Sequence, residues 1–110
     1  MLAKIKSYNE DNFREIEQYS GISVIRFSAS WCPPCKSSEA AFETFAGQLD
    51  AEIMTGKVNV DQAPVLTGKY EIWGLPSVLI FSRGQLVRRI SGVKSPTFYA
   101  AAVEDIKKGQ

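Results

Sequence analysis

The sequence predicts an α/β fold, a central mixed β-sheet of about five strands with helices on both faces. Three observations carry this expectation. Strand-like and helix-like stretches alternate along the chain in the order β-α-β-α-β-α-β-β-α. The stretch "ISVIRFSA" is rich in β-formers and apolar on both faces except at Arg26, as a central strand would be. The last two strand-like stretches follow each other across only Arg83-Gly84, so an antiparallel pair must share the sheet. The chain has 110 residues, which fits one domain over 1–110 with one core.

Each element has its own justification. "LAKIKS" alternates apolar and polar residues and reads as a short edge strand. Asn9 can cap a helix through "EDNFREIEQYS", with Gly21 as its stop. After the central strand, the segment from Pro33 to Gln48 follows helical spacing, with Cys35, Glu39, Phe42 and Phe45 or Ala46 along one stripe. "AEIMTGKVNVD" is a strand despite Gly56, and Asp61 is expected to begin a short helix towards Lys69. "PSVLIFS" and "QLVRRIS" are the hairpin strands. Ser95-Pro96 opens the last helix, since serine caps well and proline suits the first helical position.

Composition narrows the function. Hydrophobic residues make up 45% and charged residues 23%, an ordinary globular balance. A net charge of +1 offers no electrostatic case for nucleic acid or an acidic membrane surface. No run approaches the ~20 apolar residues of a membrane span. "MLAKIKSYNEDNF" shows no apolar region behind its lysines, so no signal peptide is read and a cytoplasmic location is expected, where structural disulfides are rare. Histidine is absent, which removes imidazole-dependent hydrolase triads and the commonest metal ligand. There is no Walker loop, no GxGxxG and no internal repeat.

The chemistry lies in "SASWCPPCKSSEA", which holds the only two cysteines, Cys32 and Cys35. Three roles compete for them. As a staple the pair would do little: so short a loop saves only about 2 kcal/mol, against about 3 for fifteen residues. As a metal site it is two ligands short of tetrahedral zinc. As a redox pair it is well placed. The cysteines stand where a strand ends and a helix begins, and free N–H groups and the helix dipole there favour a thiolate, the form that attacks disulfides. Prolines are tolerated at those positions because first-turn N–H groups have no intrahelical partner. A CxxC beside a βαβ pattern in a cytosolic chain reads as a redox motif.

Beyond that motif, the chain resembles the thioredoxin family almost end to end. "FSASWCPPCK" is similar to the family's Phe-x-Ala-x-Trp-Cys-Gly-Pro-Cys-Lys, and "KVNVDQAP", "KYEIWGLPSVLIF", the Gly84 turn and Gly92 follow in the expected order. The resemblance implies a thioredoxin fold and thiol–disulfide exchange on protein disulfides. It implies no bound cofactor beyond the redox-active Cys32–Cys35 disulfide, with electrons from NADPH through a thioredoxin-reductase-like flavoprotein. It further implies Cys32 as nucleophile and Cys35 as the resolving thiol; their placement at the first turn, with Cys35 on the inward stripe, predicts a partly exposed Cys32 and a buried Cys35. Trp31 would shield the pair and contact substrates. Pro76 matches the family's cis-proline, although an ordinary proline at a strand start is the plainer alternative. Leu75, before it, would pair with an extended substrate. Trp73 and Gly92 would border that groove; a partly buried loop anchor is the other role open to Trp73. A monomer is expected.

Four positions depart from the family. Pro33 replaces glycine, Ser28 replaces a second tryptophan, and Ala40 replaces a helix-kinking proline, so the active-site helix should run straight. Arg26 replaces a buried aspartate that serves proton transfer. Pro33 removes an N–H that could face Cys32, and no histidine lies between the cysteines; both argue against a strong oxidant and for a reductase. The alternatives are an extracytoplasmic thiol oxidase or isomerase, and a non-catalytic binding module of the same fold. For Arg26, one expectation is that Glu39 takes over the lost carboxylate, pairs with Arg26 or Lys57, and relays the Cys35 proton. The other is that Arg26 snorkels to the surface and water takes the proton.

Overall fold

Side-chain alternation on the middle strand decides which way the rest of the chain packs. In the computed structural model, which describes residues 5–109, β2 (Ile22–Ser28) has neighbours on both sides. Its Val24 faces one layer of helices, and Ile25 and Phe27 face the other. β3 (Met54–Asn59) pairs with it in parallel, β1 (Lys6–Tyr8) pairs in parallel with β3, and β4 (Ser77–Ser82) pairs antiparallel on the other side. β5 (Gln85–Ser91) completes the order β1-β3-β2-β4-β5, antiparallel to β4. The mixed sheet is as the sequence predicts. Leu2–Lys4 of the expected first strand lie outside the described residues.

Helices cover both faces. On the Val24 side lie α2 (Pro33–Gly47) and α4 (Pro96–Lys108). Phe42, Phe45 and Tyr99 lock these two together, with ring centroids 5.3–5.9 Å apart. Each such pair is worth about 0.5–1.5 kcal/mol beyond its burial. α4 begins as expected, with Ser95 Oγ accepting from Phe98 N–H at 3.1 Å. On the Ile25 side lie α1 (Arg14–Glu17) and α3 (Pro64–Lys69).

Both small helices are shorter than the sequence suggested. Asn9 does not cap α1. Its carboxamide accepts from Asp11 N–H at 2.9 Å while its own N–H donates to Asn12 Oδ1 at 2.8 Å, so these side chains hold a turn where helix was expected. The helix stops at Gln18, ahead of Gly21. α3 starts at Pro64 rather than Asp61, because Asn59 Oδ1 accepts from the N–H groups of Asp61 and Gln62 at 2.9 and 3.3 Å and holds another turn. Ala63 precedes α3 without a side-chain cap, and Pro64 has no N–H. The orphan donors of Val65 and Leu66 go instead to Glu10 Oε2, at 3.0 and 3.1 Å, from near the N-terminus.

Two glycines are required by close approach. Gly84 has φ +77° beside Arg83 at +55°, the paired positive values of a tight hairpin turn. A Cβ there would lie 1.9 Å from the Glu17 carbonyl oxygen, so the β4–β5 hairpin sits against the end of α1. Gly56, the doubtful residue of β3, leaves room for the Tyr8 ring, which a Cβ would meet at 2.4 Å.

Candidate active site

The strand-to-helix junction after β2 builds the site. Cys32 is the N-cap of α2, with extended backbone (φ −96°, ψ 108°), and Pro33 and Pro34 fill the first helical positions. Neither proline has an N–H. The donor that reaches the Cys32 sulfur is therefore the Cys35 N–H, at 3.3 Å. Cys32 and Cys35 are joined as a disulfide, their Cα atoms 5.2 Å apart. Among the described residues no cluster of histidine, cysteine, aspartate or glutamate could hold a metal ion.

Cys32 corrects one expectation. It is only 4% exposed, as enclosed as Cys35 at 3%. Ala29, Val60 and Leu75 pack about the pair, so the oxidised sulfurs share one apolar nest. Leu75-Pro76 is a cis peptide bond, and Pro76 is buried. The Pro76 carbonyl accepts from Gly92 N–H at 2.9 Å, which ties the proline loop to the end of β5.

Around this nest the surface is aromatic. Trp31 is 65% exposed, and its Nε1 donates to Asp61 Oδ2 at 2.7 Å. Asp61 is a site residue that sequence reasoning missed, since it lies thirty positions away with no periodicity linking it to Trp31. Trp73 is 91% exposed, so it is no buried anchor for its loop. It stands two residues before Leu75, which packs on the disulfide.

Behind the disulfide the surroundings are charged. Arg26 faces α2 and is only 5% exposed, so it does not snorkel to the surface. Its Nη2 donates to the carbonyl of Cys35 and, at 3.1 Å, to Ser38 Oγ. Ser38 therefore takes the inward place on α2 that the stripe had assigned to Glu39, which is exposed. The expected ion pair is absent: among the described residues no salt bridge includes Arg26, Glu39 or Lys57. Lys57 lies beside Arg26 in the parallel register of β2 and β3, its side chain exposed. All three, with Ile5, Phe42 and Glu43, line a small cavity of about 150 Å³. Burial pushes the Arg26 guanidinium below its ordinary value, and Glu39, Tyr99 and Glu43 act against that shift.

Known proteins are similar to this chain in sequence and fold. The family model described as Thioredoxin matches residues 4–105. A thioredoxin of Staphylococcus saprophyticus is 30% identical over 100 residues, covering 91% of this chain and 95% of its own. One from Staphylococcus epidermidis is 33% identical over 91 residues, covering 83% and 86%. Among solved structures, a thioredoxin from Trypanosoma brucei brucei aligns with a TM-score of 0.86 at 26% identity, over 96% of this chain and 92% of its own. No helix of the described residues is long and apolar enough to cross a membrane.

Proposed function

The chain belongs to the thioredoxin family and is a thiol–disulfide oxidoreductase, and from that premise we propose that it works in the reducing direction on protein disulfides. Cys32 attacks as a thiolate. One substrate sulfur leaves with the bonding electron pair and takes a proton, and the other stays bonded to Cys32. Cys35 then attacks the Cys32 sulfur, re-forming the intramolecular disulfide and releasing the second substrate thiol. Two electrons pass from dithiol to substrate.

The observation that carries this reading is the single hydrogen bond to the Cys32 sulfur, from Cys35 N–H at 3.3 Å. It offers a reduced Cys32 one backbone donor at the positive end of α2, which favours the thiolate. The two prolines withhold the other two first-turn donors. That restrains the thiolate stabilisation, and a less stabilised reduced form makes a better reductant.

The remaining roles follow from position. A substrate strand pairs with the backbone before Pro76, at Leu75, and passes between Trp31, Trp73 and Gly92. The exposed indoles supply apolar contact area at low entropic cost. The protein acts as a single domain and a monomer in the cytoplasm, with neither nucleic acid nor membrane as partner. A flavin reductase drawing on NADPH returns the disulfide to the dithiol.

Equilibration against glutathione tests the direction. A reductase should have a reduction potential below that of the glutathione couple, so the Cys32–Cys35 disulfide persists when reduced glutathione is in excess. A potential above that of glutathione would overturn the reading and favour an oxidase.

A further inference from the structure

A buried charge with no counter-ion in contact is costly, and folds seldom keep one without use. Arg26 is such a charge. Its guanidinium cannot lose its proton at working pH, and its hydrogen bonds go to a carbonyl and a hydroxyl rather than a carboxylate. Ser38 Oγ is itself held by donation to the Pro34 carbonyl at 2.7 Å, so the guanidinium is fixed to the first turn of the active-site helix.

We propose that Arg26 is the positioning residue of the resolving step: its fixed positive charge beneath α2 stabilises the Cys35 thiolate, so that no protein carboxylate need take the Cys35 proton. This rests on the reading of Cys35 as the resolving thiol. In the mixed disulfide, Cys35 ionises and its proton passes to solvent. The Cys35 thiolate attacks Cys32 Sγ. The new S–S bond forms as the Cys32–substrate bond breaks, and the substrate sulfur leaves with the electron pair and is protonated from solvent.

Of the charged groups near Cys35, Arg26 is the one bonded to that residue. From β2 comes Arg26, and from β3 comes Lys57 beside it. From α2, Glu39 and Glu43 line the cavity without an ion pair to Arg26. From α4, burial raises the Tyr99 phenol, which stays neutral at working pH. Asp61, beyond β3, is engaged by Trp31. The guanidinium touches the Cys35 carbonyl, which places it within ~8 Å of the same residue's sulfur by covalent geometry. At that range, in a partly wetted interior, one unit charge favours the thiolate by about tenfold or more.

The test uses the reduced full chain and a bis(nitrobenzoate) disulfide, whose released thiolate is coloured. Attack by Cys32 releases the first equivalent, and resolution by Cys35 releases the second. Arg26→Met should slow the second phase about tenfold near neutral pH and move its pH midpoint up by about one unit, with rates converging at high pH. The first phase should change less than the second. Arg26→Lys, which keeps the charge, should recover most of the second-phase rate, and Arg26→Gln serves as the neutral variant should Arg26→Met fail to fold. A second phase with an unmoved midpoint, or slowed equally at every pH, overturns the proposal, because loss of packing alone would do that. Failure of the underlying reading looks different: wild type would give no second phase, or Cys35→Ser would keep it.

Discussion

In front of the disulfide the molecule is apolar and open, with two exposed tryptophans and a cis-proline loop. Behind it the molecule is charged and closed, with a guanidinium wedged between strand and helix. The two sides are built by the same few residues of chain, yet they answer to different demands. In the proposed function the front meets protein disulfides, and it offers shape and apolar area with few fixed polar partners. In the proposed resolving step the rear sets how readily Cys35 loses a proton, and it can do so with a carboxylate that accepts the proton or a cation that favours its departure. This chain carries the cation.

The difference can be broken at the cysteines themselves. Cys32→Ser should abolish disulfide reduction, whereas Cys35→Ser should retain the first attack and accumulate mixed disulfides, countable by mass spectrometry under non-reducing conditions. Adducts that build up on Cys32→Ser instead would reverse the roles. Next in size is the front surface. Trp73→Ala should raise KM for a protein disulfide about tenfold, the effect of a modest hot spot. The pH midpoint of resolution should not move, and a moved midpoint would mean that front and rear are coupled.

A smaller effect sharpens the rear. Glu39→Gln removes a negative charge from the cavity that Arg26 lines. If charge rather than proton relay governs the step, resolution should speed up slightly, with its midpoint moving down by less than about half a unit. Slower resolution near neutral pH would restore Glu39 as the base. Smallest is Pro33→Gly. Pro33 stands at the first helical position of α2, where its fixed φ is compatible with the helix. The glycine variant should lose about 0.4–1 kcal/mol in denaturant melts through unfolded-chain entropy alone. A gain in stability would show Pro33 to be strained by Pro34 after it.

Most of the front was legible in the sequence, and the rear was not. The run from Phe27 to Lys36 is contiguous, so its residues announce their neighbours by order alone. The central strand and the α2 span were equally plain, because burial imposes continuous apolar runs and helical spacing. Arg26 could be seen as an anomaly, but its partners could not. Stepping four residues on from Cys35 led to Glu39, while the buried step is three, to Ser38, a residue small enough to admit a guanidinium. The ends of α1 and α3 moved because Asn9, Asn12 and Asn59 bind backbone N–H groups locally, a choice that propensity does not resolve. The Trp31–Asp61 bond joins residues brought together only by the completed sheet.

The Glu10 carboxylate on α3 has a consequence of a different kind. A helix usually carries its own cap and can begin to form while the rest of the chain is still a coil. α3 has no side-chain cap of its own, and its six residues are too few to hold a helix unaided. Its first donors are satisfied only once Glu10, more than fifty residues earlier in the sequence, has docked. The start of α3 is therefore completed by tertiary contact: the N-terminal segment and the middle of the chain share one cap. The segment that follows α3 carries Trp73, Leu75 and Pro76. The loop with the cis-proline thus leaves a helix whose first turn is held by Glu10, from before α1.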